Sequence, residues 1–534
     1  MRGKNIIYIP FALFLFPIIS LILPCFVNDT YNIMPANIWE YVLNTVIATV
    51  GTVTIAGGLG IILATVISFY DFYGRSIVRY ILVFPLAVPM YISALSYGYF
   101  IDNALFSDYC VLCAVHPLIL YMFVMGAGLY PYVYIVTLAK MELNCTTILI
   151  SKILGRGHFF SLVKIVLPLC LPASLMGMML VAMEVMSDFA TAQIFGLNTC
   201  ATVIYRSWFL LRDYVLAGHI ILWMLVCVLF LFIFTKKVIY ARDYKCMTFD
   251  FDRQFVFKNI PGTKGIILLL CVLIGPILGF MIPLIPLVMW AVQYSSSVYS
   301  IKEFLVCVYN SFSVSFIAAF ITVMMALFFC CIMRIDGYIR WFARCVSIGY
   351  AVPSMVVAFG IISALAMFAK AIMWILQQVS INVQISMIGT TFAIIYAYSF
   401  RFLAIPMSAI ETSLRKVPME YDWFSSIVGK RKFKTYFTVH IPMISRAVIY
   451  SFLLVFLDSV KELTSTLIIR PFKFDTIAIK VYDLITEERY IDASVPALVL
   501  VLLGLISVLI ISYFGTNKDL HSTLISDRLE DGRI

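Results

Sequence analysis

The sequence predicts an all-α polytopic membrane protein of about twelve transmembrane helices, arranged as two parallel six-helix repeats. Three observations carry that expectation. The 534 residues are 63% hydrophobic and only 12% charged, with a mean hydropathy of +1.01. That is more apolar surface than a water-soluble core hides. Lys and Arg gather in alternate connections between apolar runs, the bias expected of cytoplasmic loops. A Gly-centred motif also occurs twice at a fixed shift, the signature of an internal repeat.

Apolar runs long enough to span a bilayer lie near 6–26, 43–69, 78–100, 115–138, 169–194 and 215–235. Six more lie near 266–290, 306–333, 342–369, 386–410, 446–469 and 493–514. The first follows Arg2 and Lys4 as a signal peptide would, but its run is too long and no small-x-small site follows it. It is read as a membrane helix, which puts both termini in the cytoplasm. Even-numbered connections then carry Arg75 and Arg79, the group Lys140 to Lys164, the group Lys236 to Lys264, Arg334 to Arg344, and Arg415 to Arg446. The opposite loops at 27–41 and 102–114 carry no Lys or Arg. The net charge of +10 is therefore a record of topology and not a sign of nucleic-acid binding.

Thirteen Cys, scattered mostly through apolar runs, give no disulfide framework, and five dispersed His show no ligand spacing. Cys110 and Cys113 form a lone CxxC, a weak signal for redox or metal chemistry.

Gly155-x9-Ile165-Val166-Leu167-Pro168 returns as Gly429-x9-Val439-His440-Ile441-Pro442, a shift of 274 residues. The same shift carries Glu184 onto Asp458, Asp188 onto Glu462 and Arg206 onto Lys480. At slightly smaller offsets Asn44-Thr45 answers Asn310-Ser311, and Val88-Pro89 answers Val352-Pro353. Six spans per half give both halves one orientation. The halves are expected at 1–245 (core about 42–238) and 265–534 (core about 306–514), joined by a polar linker at 246–264. Within each motif the Gly allows a turn with positive φ or a close approach. The Pro opens the next membrane helix, where its missing N–H costs nothing.

This twice-repeated unit resembles the cytoplasmic coupling loop of binding-protein-dependent ABC importer permeases, with the pattern E-A-A-x3-G-x9-I-x-L-P. The resemblance implies a type I importer fold and loops that dock on ATP-hydrolysing subunits. Its coupling residues are Gly155, Ile165, Leu167, Pro168, Trp423, Gly429, Val439, Ile441 and Pro442. The pattern's acid falls on Leu149 in one half and on Trp423 in the other, and its Ala pair on Ile150-Ser151 and Phe424-Ser425, which puts the acidic contact in doubt. No G-x4-G-K-[ST] occurs, so the expectation is no cofactor bound by this chain, with ATP used by a pair of partner ATPase subunits.

Glu184 and Asp188 stand at i, i+4, as do Asp458 and Glu462, roughly 20–30 Å along their helices from Pro168 and Pro442 by the ~1.5 Å rise. Lys461 is placed to pair with Asp458. Carboxylates at that depth are costly unless they bridge helices or line a polar cavity. The bland reading is salt bridging at the outer interface; the functional one is an acidic vestibule for a hard cation. From Lys461 to Phe472 the run KELTSTLIIRPF resembles the K-E-L-P-x-T-L-L-L-R-P-F segment of ferric-iron importer permeases, with Thr464 for the usual Pro. Met183-Glu184, Asp188-Phe189, Phe195-Gly196 and Ile204-Tyr205-Arg206-x-Trp208 extend the likeness in the first half. It implies a periplasmic substrate-binding protein docking near Arg206, Arg212, Arg470, Lys473 and Glu487. Arg401 is a further embedded charge, read as snorkelling to the interface with no role. Asp71-x2-Gly74-Arg75 resembles, in one half only, a cytoplasmic motif of major-facilitator carriers.

The expected function is thus the permease of an ATP-driven importer for ferric iron, itself no enzyme. Thiamine, sulfate or a polyamine are alternative substrates. A secondary transporter is the rival class, and it offers no reason for the repeated Gly-x9-[IV]-x-[LI]-Pro. A polytopic membrane enzyme would want an interfacial His, Asp or Glu cluster.

Overall fold

The structure is a computed structural model describing residues 16–17, 20, 38–102, 116–143, 151, 153–242, 258–260, 262–293, 301–335, 352–378, 386–429 and 432–530. Cys110, Cys113, Lys152, Lys430, Arg431, most of the first predicted span and most of the linker lie outside the described residues.

Nearly every described segment is helix, as expected where a bilayer leaves each backbone polar group to be satisfied within its own segment. Among the described residues, seven helices are long and apolar enough to cross a membrane: Ile38–Phe69, Pro117–Glu142, Phe159–Ser187, Thr263–Gln293, Lys302–Arg334, Ser354–Gln378 and Tyr490–Ile510. Three bent pairs raise the number to as many as ten: Arg75–Ala87 with Met90–Ile101 (89°), Thr391–Phe402 with Ala404–Leu414 (46°), and Lys432–Met443 with Ser445–Lys461 (76°). The sixth predicted span is present as the shorter apolar helix Val215–Leu231. Proline accounts for the sharpest bend, where Pro85 opens a 3-10 turn at Phe84–Ala87 and Pro89 precedes the next helix.

The described residues gather into two compact units. One comprises Asn28–Ser297 with Tyr482–Val501. Its centre is the Pro117–Leu143 helix, packed against Ile38–Phe69 and Leu167–Ser187. Small residues permit the approach: a Cβ on Gly60 would stand 2.7 Å from the Val133 side chain, and one on Gly177 2.6 Å from the Val133 backbone. The Thr263–Gln293 segment packs in this same unit. Tyr97 and Ser96 donate to the Leu278 and Pro283 carbonyls at 2.7 and 2.8 Å, and Trp290 meets Tyr99 edge-on. The linker's end is tied down as well. Lys258–Asn259 pairs in parallel with Tyr70–Asp71, and Arg75 Nε donates to the Ile67 carbonyl. Asp71, Gly74 and Arg75 thus form a structural turn.

The other unit comprises Met1–Val27, Val298–Val481 and Leu502–Ile534. Here Ile301–Ile335 packs on Ser445–Lys461, Thr391–Phe402 and Ala404–Leu414. From the first predicted span, Ser20 donates to the Gly360 carbonyl at 3.0 Å and accepts from Ser363 on its own carbonyl.

Candidate functional site: two Gly-centred loops and two acid-capped breaks

The two Gly-centred motifs take up the same backbone. Gly155 and Gly429 have φ of 78° and 76°, a left-handed conformation in which any Cβ is strained. An added Cβ would meet nothing within 4 Å at either site, so the requirement for glycine is conformational and not spatial. Ten residues apart across each turn, a hydroxyl pair closes the loop: Ser151 with Ser161 at 2.6 Å, and Ser425 with Thr435. One turn of π-helix follows in each, Leu162–Val166 and Tyr436–His440. Ile165 and Val439 fall inside these turns, and Leu167-Pro168 and Ile441-Pro442 begin the helices beyond.

Both loops present apolar side chains to the outside. Ile153, Leu154 and Phe159 are exposed in the first; Trp423, Phe424, Ile427 and Val428 are exposed in the second. Trp423, standing where the family pattern has an acid, is 64% exposed. Of the two acids in this helix, Glu420 is exposed, whereas Asp422, one position before Trp423, is half-buried and turns inward. Its Oδ2 accepts from Arg334 Nε and Nη2 at 3.0 and 2.7 Å, and its Oδ1 lies 2.8 Å from His440 Nε2. A carboxylate offers only acceptors, so His440 Nε2 carries the proton. Partial burial works against the charge on Asp422, but the hydrogen bonds from Arg334 and His440 outweigh it and hold the carboxyl below its ordinary value. The contact therefore contributes stability above the usual carboxyl range and is lost only as pH falls through the depressed value.

At the far ends of the following helices the structure departs from the sequence reading. The predicted spans 169–194 and 446–469 are not continuous. Leu167–Ser187 stops at Asp188 (ψ 116°) and Ser445–Lys461 stops at Glu462 (ψ 119°). Glu184 and Asp458 remain helical, whereas Asp188 and Glu462 lie just past the helix ends, so neither i, i+4 pair shares one helix face. Each acid instead caps a short helix that follows. Asp188 accepts from Thr191 N and Oγ1 (3.3 and 2.8 Å), Ala192 N (3.2 Å) and the Tyr121 hydroxyl (3.1 Å). Glu462 accepts from Ser465 N and Oγ (3.3 and 3.0 Å) and from Arg401 Nη1 at 2.8 Å. A short acidic side chain that bonds nearby backbone N–H groups competes with helix continuation, which is why the helices break there.

Arg401 was the residue sequence reasoning missed. Instead of snorkelling, it is buried and paired with Glu462, and its guanidinium carbon lies 5.6 Å from the centroid of the Phe402 ring. Lys461 and Asp458, the expected pair, are half-buried and within electrostatic reach of one another.

Beyond each break the chain is pinned to the start of a long helix by the repeated polar pairs. Asn44 donates to the Asn198 carbonyl (3.1 Å) and Thr45 accepts from Cys200 N (2.9 Å); Asn310 donates to the Asp475 carbonyl (3.1 Å) and Ser311 accepts from Ile477 N (2.8 Å). Of the outer-loop charges, Arg206 donates to Asn198 and Arg470 to Asp475. Arg212, Lys473 and Glu487 are exposed, the first two in left-handed backbone. Among the described residues no group of three or more His, Cys, Asp or Glu is arranged to hold a metal ion.

No family model matches the chain. Among curated proteins, it is similar to the Fe(3+)-transport system permease protein FbpB 2 of Haemophilus influenzae. The two are 24% identical over 492 residues, covering 89% of this chain and 90% of that protein. The match bears out the family resemblance read from the two Gly-centred loops and the segment beginning at Lys461.

Proposed function

We propose that this chain, a relative of an Fe(3+)-transport permease along most of its length, is the membrane-spanning permease of an ATP-driven importer for ferric iron. The observation that carries the reading is that end-to-end match; the paired backbone at Gly155 and Gly429 supports it. In this reading the chain holds twelve membrane helices in two parallel halves of six, at 1–245 and 265–534, in a bacterial inner membrane with both termini inside. The repeated hydroxyl pairs, π-turns and Asn-Thr/Asn-Ser anchors support a duplication, because unrelated loops have no reason to share them in register.

Two ATPase subunits receive the exposed apolar faces of the coupling loops, ATP is hydrolysed there, and this chain holds no cofactor of its own. A periplasmic binding protein delivers the iron near Arg206, Arg212, Arg470, Lys473 and Glu487. Glu184, Asp188, Asp458, Lys461 and Glu462 supply the polar outer part of the path. Oxygen donors there suit a hard cation, and Asp188 and Glu462 also hold the breaks that shape it. The alternation between outward and inward access follows the displacement of the two loops when ATP draws the ATPase subunits together.

The test is uptake of labelled ferric iron into vesicles holding the permease, its ATPase and its binding protein. ATP-dependent uptake is expected, and it should fall at least tenfold when Gly155 and Gly429 are both replaced by Val, with membrane insertion unchanged. Uptake of thiamine, sulfate or a polyamine in place of iron would overturn the substrate. Undiminished uptake in the double variant would overturn the role of the loops.

A further inference from the structure

The family pattern leaves the second loop without its acid, and the structure supplies one that faces the other way. Successive residues of a helix are rotated by about 100°, so an acid moved back one position leaves the outer face to Trp423 and turns in. There Asp422 meets two residues remote in sequence. Arg334 sits in the last turn of the Ile301–Ile335 helix; besides Asp422 its guanidinium holds the Leu414 carbonyl at 2.6 Å and the Val417 carbonyl at 3.1 Å. Those carbonyls end the Ala404–Leu414 helix and the turn after it, where the Leu414 carbonyl also accepts from Val417 N at 3.1 Å. His440, 1% exposed, closes the π-turn that leads into the next membrane segment, and its Nδ1 has no hydrogen-bond partner among the described atoms. Its one polar anchor there is therefore Asp422. Three membrane segments and the coupling helix Glu420–Ile427 converge on a single carboxylate.

We infer that Asp422, Arg334 and His440 form a polar joint that carries displacement of the second coupling helix into the membrane helices, with Asp422 as its positioning residue. The inference rests on the proposed importer function. An apolar contact would hold these elements together, yet it would allow them to slide. Charge-assisted hydrogen bonds with a planar guanidinium fix direction as well as distance, and a lever needs both. The first loop differs in sequence at both positions: the 274-residue shift puts Ile148 where Asp422 stands, and fully buried Val166 where His440 stands.

The test compares transport with hydrolysis in the reconstituted complex of permease, ATPase and binding protein, using labelled ferric iron. Asp422→Asn is expected to keep at least half of the ATP hydrolysis while iron moved per ATP falls about tenfold. His440→Gln, whose amide can still donate to Asp422, should retain the wild-type ratio, whereas His440→Leu should lower it. A purely structural role would reduce uptake and hydrolysis together through loss of complex and would leave the ratio unchanged; that result overturns the joint. If Asp422→Asn fails to assemble, the His440 pair decides, and equal ratios in Gln and Leu variants overturn it. A wild-type complex without ATP-driven uptake would overturn the importer reading itself, and the joint with it.

Discussion

The two Gly-centred loops and the breaks that follow them share a backbone but not a means of anchorage. In the first half apolar Val166 is fully buried where the second half has His440, and Asp188 is satisfied by neutral donors: two backbone N–H groups and the hydroxyls of Thr191 and Tyr121. In the second half Arg334 and His440 hold the loop through Asp422, and Arg401 holds the break through Glu462. Backbone requirements set by Gly, the π-turn and Pro are local and recur in register. Which side chains stabilise that backbone is free to differ, provided each buried polar group finds a partner.

Removing an acid tests this contrast most severely. Glu462→Ala removes the buried carboxylate that Arg401 bonds at 2.8 Å, a loss of about 3–5 kcal/mol. Asp188→Ala leaves neutral donors, about 1–3 kcal/mol. Thermal unfolding of the purified protein should rank them in that order, and equal losses would break the comparison. Exchanging the residues at the π-turn comes next. Val166→His puts an imidazole at a fully buried site where Ile148, and not an acid, answers Asp422 in register, at a cost of about 2–3 kcal/mol. The reverse change, His440→Val, leaves Asp422 its Arg334 contact and should cost less; folded yield after detergent extraction separates the two. The smallest effects belong to what the halves share. Gly155→Asn and Gly429→Asn should each be milder than the Val variants, because Asn tolerates the left-handed region that costs other residues about 1–2 kcal/mol. The two sites should respond alike, and a large difference in melting temperature between them would show that their strain is not set by φ alone.

Much of this was legible in the sequence because it is written locally. The Gly, the nine-residue spacing and the terminal Pro marked both loops before any fold was known, and Asn44-Thr45 with Asn310-Ser311 marked the anchors that the structure uses. The helix breaks were less legible. Ser187-Asp188-Phe189-Ala190-Thr191 reads as uninterrupted apolar helix by hydropathy, and only the carboxylate's reach to Thr191 and Ala192 betrays a cap. An acid followed three residues later by Thr or Ser, at 188–191 and again at 462–465, was the available signal. Arg401 and Asp422 gave none, since Glu462 stands 61 residues from the first and Arg334 88 from the second.

Composition, the alternation of Lys and Arg, and the repeated Gly-x9-[IV]-x-[LI]-Pro determined by themselves that this is a membrane protein with two matched loops. Hydropathy and backbone preference act residue by residue, and a sequence states them outright. Tertiary structure alone decided that Thr263–Gln293 packs with the first-half helices, that Arg401 neutralises Glu462, and that the second loop's acid faces inward to Arg334 and His440. A buried charge takes whichever partner packing brings within hydrogen-bond reach, and that choice is made only when the helices meet.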